Sequence, residues 1–251
     1  MKLTELKPAT QKPPSGFSLA LSAYILWGTS FLASKYTLEV MSPSVATSVR
    51  FILALVLMGL FFPLFGYPIA LPRGWRSLAC VVSVGLVGFG LLYPLQLIGL
   101  KGITSGLSAA IMLTSPLFVI LAGAFILREK ISNRKIGAVV LGLAGGVILL
   151  TASGSMSSVL NLDFVFPSVL TLAASLCLAL SVILTRFFKS PLNPQTLTFW
   201  SMLVGLLVII PFAFRSHERS HPVGSPGNHA SLCSDVLSFI RLFCVLFPNL
   251  E

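Results

Sequence analysis

Arg50 is the residue whose chemistry stands out first, a charged side chain inside the long apolar run VATSVRFILALVLMGLFF. Seven residues into a membrane helix, at 1.5 Å per residue, a guanidinium lies roughly 10 Å below the surface, where burial is costly. Two accounts fit. It faces a water-filled cavity and holds a carboxylate or phosphate through its planar fork, or it snorkels to headgroups or pairs with Glu39. Lys35 offers a second cation near the end of the preceding apolar run, either snorkelling or attracting substrate. Trp27, Thr29 and Ser30 form a polar-aromatic patch at mid-run, and Tyr93 with Gln96 forms another. Trp27 sits too deep for the aromatic belt of the interface, so it lines a cavity or packs between helices. Thr114 and Ser115 have the ordinary option of bonding their own helix backbone. Glu129, among Arg128, Lys130 and Arg134, reads as a salt-bridge or helix-end residue rather than a proton carrier. The candidate substrate-binding set is therefore Arg50, Trp27, Ser30, Tyr93, Gln96 and Lys35.

Enzyme chemistry has no visible apparatus: no nucleophile–base pair, phosphate loop or paired carboxylate is present. The four cysteines, Cys80, Cys177, Cys233 and Cys244, show no metal-ligand spacing, so neither a metal nor a cofactor is expected.

The elements that must position these residues are long apolar blocks at about 17–38, 44–65, 77–98, 103–127, 136–152, 164–185 and 195–214. Most are long enough to cross a hydrocarbon core of ~30 Å. The mean hydropathy of +0.95 and a charged fraction of 10% argue against a soluble domain, since such domains carry roughly 25% charged residues. The net charge of +10 does not describe a nucleic-acid surface. Its basic residues cluster at the ends of apolar blocks, where they orient the chain and meet anionic headgroups. The expected partners are the lipid bilayer and a small-molecule substrate, with self-association as a homodimer a further option, and no nucleic acid.

Residues 19–59 overlay 170–210 without a gap, matching Leu19/Leu170, Ala23/Ala174, Ser30/Ser181, Pro43/Pro194, Thr47/Thr198 and Leu55/Leu206. Lys35 and Arg186 share that register, whereas Arg50 falls opposite Ser201. An odd number of spans per unit turns the second copy upside down, a recurrent plan of secondary transporters. Transport is thus the leading expectation.

Lys and Arg alternate between loops. The leader holds Lys2, Lys7 and Lys12; later clusters are Arg73 with Arg76, Arg128 to Lys135, and Arg186 with Lys189. By the positive-inside rule the N-terminus is cytoplasmic, and no cleavable signal pattern precedes the first span. The small-residue stripes Gly102–Gly106–Ala110 and Ala138–Gly142–Gly146 are expected to let helices meet closely, chiefly within the bundle. Pro94 and Pro116 are expected to kink their helices.

Residues 215–251 hold all three His, and their apolar stretch 236–247 is interrupted by Arg241 and too short to span. The preferred expectation is that a frameshift, alternative splice or premature stop replaced the rest of the second repeat. A surface-lying amphipathic tail is the alternative.

Residues 91–148, LLYPLQLIGLKGITSGLSAAIMLTSPLFVILAGAFILREKISNRKIGAVVLGLAGGVI, resemble the EamA-type drug/metabolite transporters. The resemblance rests on the small-residue run Gly106–Ala110, Pro116, Glu129, and Gly137 with the glycines behind it. The opening LSAYILWGTSFLASK looks like the family's first span, and the Pro43–Arg50–Phe51 region like its second. The resemblance implies ten helices in two inverted five-helix halves that carry small solutes by alternating access. The expected architecture is an all-α membrane bundle of about seven spans: a leader at 1–16, a complete first repeat at 17–152, two helices of the second at 164–214, and the tail. The expected function is export of a small metabolite across the plasma (cell inner) membrane. A truncated, non-transporting or helix-donating membrane interaction protein is the alternative.

Overall fold

The computed structural model describes residues 16–66, 69–129, 131–152, 162–189 and 192–217. The leader, most of the 153–163 loop and nearly all of the 215–251 tail lie outside them. Helices fall on all seven apolar blocks: α1 Gly16–Val40, α2 Pro43–Leu64, α3 Trp75–Gly102, α4 Ser105–Ile126, α5 Asn133–Ala152, α6 Leu162–Phe188 and α7 Pro194–His217. Among the described residues there is no strand. Five helices, α2, α3, α4, α6 and α7, meet length and hydropathy criteria for crossing a membrane within those residues. The chain is thus a multi-pass, all-α membrane bundle.

Local chemistry sets the helix starts. Ser42 precedes Pro43, whose missing N–H costs nothing in the first turn. Thr104 caps α4 by accepting from the Leu107 N–H at 3.2 Å. Both prolines expected to disturb a helix do so. Over Gly85–Leu91, just before Pro94, the hydrogen bonds of α3 slip to the wider i−5 spacing. Helix α4 breaks between Met112 and Ser115, immediately before Pro116, which cannot supply the N–H that Met112 would accept.

Helix α3 is the hub. Helices α6 and α7 lie against it, and glycines set how closely. A methyl on Gly85 would meet Val204 Cβ at 2.7 Å and the Ser201 carbonyl at 2.8 Å. One on Gly99 would collide with Thr171, and one on Gly205 with Phe89. The stripes singled out in the sequence are looser: Gly106 and Gly142 have nothing within 4 Å, and Gly146 makes ordinary contact with Leu113 and Ala110. Close approach was expected on α4 and α5, where Gly146 meets the Ala110 backbone; the tightest approaches are at α3, α6 and α7. Spacing alone does not say which face of a helix turns inward.

Lys35 is engaged by backbone carbonyls near the start of α4. Its Nζ donates to the carbonyls of Leu100 at 2.8 Å, Lys101 at 3.3 Å and Ile103 at 2.7 Å. It thereby closes the C-terminal end of α3, where carbonyls lack intrahelical donors and the helix dipole favours a cation.

Candidate functional site

The break in α4 opens one side of a cleft of about 600 Å³ between α1, α4 and α6, within the 300–1,000 Å³ range of small-molecule sites. Tyr24, Trp27, Gly28 and Phe31 contribute the α1 wall. Ala109, Met112, Leu113, Ser115 and Pro116 contribute the α4 wall at the break, with Val119 and Ile120 beyond it. Leu178 and Val182 come from α6. Periodicity explains the aromatic wall: positions 24, 27, 28 and 31 fall on one helical face. The Tyr24–Trp27 and Trp27–Phe31 centroids are each 6.3 Å apart. Phe31 and Met112 are buried against Ala174, tying α1 to α4 and α6.

At mid-depth the broken helix is held by a polar contact. Thr114 Oγ1 donates to the Ile111 carbonyl at 2.7 Å and lies 3.0 Å from Ser175 Oγ on α6. Thr114 therefore makes the expected backbone bond and also joins the two repeats. Ser115 is buried and lines the cleft.

One end of the cleft is charged. Glu129 Oε2 is 3.2 Å from Lys135 Nζ, and its Oε1 is 3.4 Å from Arg186 Nη1. All three side chains line the cleft. The chain places Glu129 there by a sharp reversal after α4. Arg128 adopts φ 54, uncommon for a residue with a side chain, and the Glu129 N–H returns to the Gly123 carbonyl at 3.2 Å. The salt-bridge reading of Glu129 is what the structure shows.

Of the six residues named from the sequence, Trp27 lines this cleft and the other five do not. Ser30 donates to the Trp27 carbonyl at 2.6 Å. Gln96 is buried in α3. Arg50 lies with its guanidinium carbon 5.2 Å from the Tyr93 ring centroid. Among the described residues no carboxylate is within ion-pair distance of it. Tyr93 is edge-on to Phe51 at 5.0 Å, in a cluster that packs α2 and α3 on Leu206 and Ile209 of α7. Arg50 and Tyr93 thus meet each other. Sequence reasoning left out Tyr24, Phe31, Met112, Lys135 and Arg186 as cleft residues. The available signal was Arg186 sharing register with Lys35 and facing the charge-dense 128–135 loop.

The chain matches the EamA-like transporter family over residues 14–151 and 166–249. It belongs to that family, and the class of protein is therefore a membrane transporter. The second matched segment runs on across most of the compositionally distinct tail. An uncharacterized transporter of Archaeoglobus fulgidus is 29% identical over 227 residues, covering 89% of this chain and 74% of that protein. An S-adenosylmethionine/S-adenosylhomocysteine transporter of Chlamydia muridarum is 28% identical over 247 residues, covering 95% and 76%. A chloroplastic WAT1-related protein of Arabidopsis thaliana is 27% identical over 210 residues, covering 80% and 48%. No solved structure matches the chain.

Proposed function

We propose that this chain carries a small organic solute through the cleft between α1, α4 and α6 by alternating access, exporting it across the plasma membrane. In this reading the N-terminus and the Glu129 end of the cleft are cytoplasmic, in keeping with the loop charges. The observation that carries it is the cleft's position between repeats: two walls come from the first repeat and one from the second. Rocking of one repeat against the other is how inverted-repeat transporters expose a fixed site to each side in turn. The freed backbone at the α4 break lines this cavity, the setting in which broken membrane helices are tolerated. Trp27 is the member of the sequence-derived set that we assign to solute contact.

The likeness to chlamydial S-adenosylmethionine/S-adenosylhomocysteine transporters makes that pair the first solutes to test. The full chain, reconstituted in liposomes preloaded with unlabelled solute, is expected to accumulate labelled external solute faster than protein-free vesicles. Trp27→Ala should slow that counterflow. Equal rates in loaded and protein-free vesicles, for this pair and for a panel of amino acids and nucleosides, would count against the reading.

A further inference from the structure

We infer that the charged end of the cleft is a seat for an anionic group, and that the solute is an elongated amphipath with an apolar or ring-bearing body and a carboxylate at one end. The inference rests on the cleft being the solute path.

The charges do not balance. Glu129 brings one negative charge, Lys135 and Arg186 bring two positive ones, and among the described residues these three are the charged side chains lining the cleft. An ammonium has three donors and a guanidinium five. Among the described residues, each spends one contact on Glu129, at 3.2 Å and 3.4 Å. The Arg186 contact is long and uses a single nitrogen, whereas a free carboxylate approaching from the cleft can take two parallel N–H donors. The side chains of Lys135, Glu129 and Arg186 are 46%, 36% and 52% exposed, and ion pairs so open to solvent hold each other weakly. An incoming carboxylate therefore displaces Glu129 at little cost. A cationic head would instead meet a net positive mouth whose one carboxylate is already engaged twice.

The remaining walls supply the other half of the solute. Trp27 and Leu178 belong to the apolar section with Phe31 and Met112. From Leu178 to Arg186 is eight residues of one helix, roughly 12 Å at 1.5 Å per residue. That is the distance the solute spans between body and carboxylate. Glu129 acts as the resident anion of the empty seat. The reversal at Arg128 lays its carboxylate over Gly123, where an added methyl would lie 3.7 Å from Oε2.

The test is calorimetric titration of the full chain in nanodiscs with 6-phenylhexanoate, 6-phenylhexanamide and 6-phenylhexylamine, against empty nanodiscs. The acid is expected to bind about threefold to fivefold tighter than the amide or the amine, the upper range for an ion pair this open to solvent. Arg186→Gln should erase that preference, and Arg186→Lys should keep part of it. Glu129→Gln should tighten the acid several-fold and leave the amide unchanged. Because Arg186 also ties α6 to the 128–135 loop, Lys135→Gln gives the same reading from the other cation. Equal binding of acid, amide and amine, all weakened by Trp27→Ala, would overturn the anion seat and leave the cleft as the solute path. An acid preference that survives in both Arg186→Gln and Lys135→Gln would also overturn the seat. Binding of none of the three would overturn both.

Discussion

Lys35 and Arg186 hold the same position in the two repeats and sit at opposite ends of α4. Lys35 donates to carbonyls at 100–103, just before α4 begins, and Arg186 meets Glu129, just after it ends. Both lie near the C-terminal ends of their helices, so α1 and α6 run in opposite directions. Inversion is thus visible in two contacts. The shared cation is put to different uses, closing a helix end in one case and forming a charged mouth in the other.

That inversion fixes which loops share a side. Single cysteines placed at the exposed positions Lys101 and Ser132, in a background lacking the native ones, should react with an impermeant thiol reagent from opposite faces. Ser132→Cys is expected to label from the cytoplasm. Reaction of both from one face would be incompatible with the bundle.

Tight glycines and open glycines should separate cleanly. Gly85→Ala forces a methyl against Val204 and the Ser201 carbonyl and should cost about 1–3 kcal/mol by overpacking. Gly142→Ala meets nothing within 4 Å and should be neutral or slightly stabilising, since Ala is the better helix former. Thermal unfolding of the two variants in one detergent compares them. Equal melting points would show that α3 and α7 are not in the described contact.

Removing the Lys35 ammonium leaves the carbonyls of Leu100, Lys101 and Ile103 without that donor. Lys35→Met is expected to lose about 1–3 kcal/mol, with Lys35→Arg losing less. A Met variant as stable as the parent would mean that water replaces the ammonium without cost.

Arg50 rests on the ring of Tyr93, outside the cleft lining. Arg50→Leu should insert normally, because Leu is favourable in hydrocarbon, and should lose ~0.5–2 kcal/mol of packing. Its affinity for 6-phenylhexanoate should be unchanged. Lost affinity in Arg50→Leu, but not in Tyr93→Leu, would instead put Arg50 on the solute path.

The seven helices, the two proline disturbances and the inverted register were legible because each depends on local composition: apolar length, a missing N–H, a repeated order of residues. The cleft was much less legible. Phe31 and Met112 line a cavity with the same apolar side chains that other positions turn toward lipid, so hydropathy does not separate them. Arg50 drew attention as a charge in an apolar run. Its ring contact with Tyr93, 43 positions away, is set by how α2 meets α3. Glu129 was readable as a salt-bridge residue from its basic surroundings. Its second partner, Arg186, became visible only when α6 was laid beside α4.

Gly28 lines the cleft and has nothing within 4 Å of where a side chain would start. Gly28→Cys, in a background lacking the native cysteines, should fold and present a thiol inside the proposed path. Impermeant thiol reagent applied from the cytoplasmic face and, in separate vesicles, from the opposite face should modify it both times, while the Lys101→Cys and Ser132→Cys controls each react from one face. Modification of Gly28→Cys from a single face, under conditions in which both controls react, would contradict alternating access through this cleft.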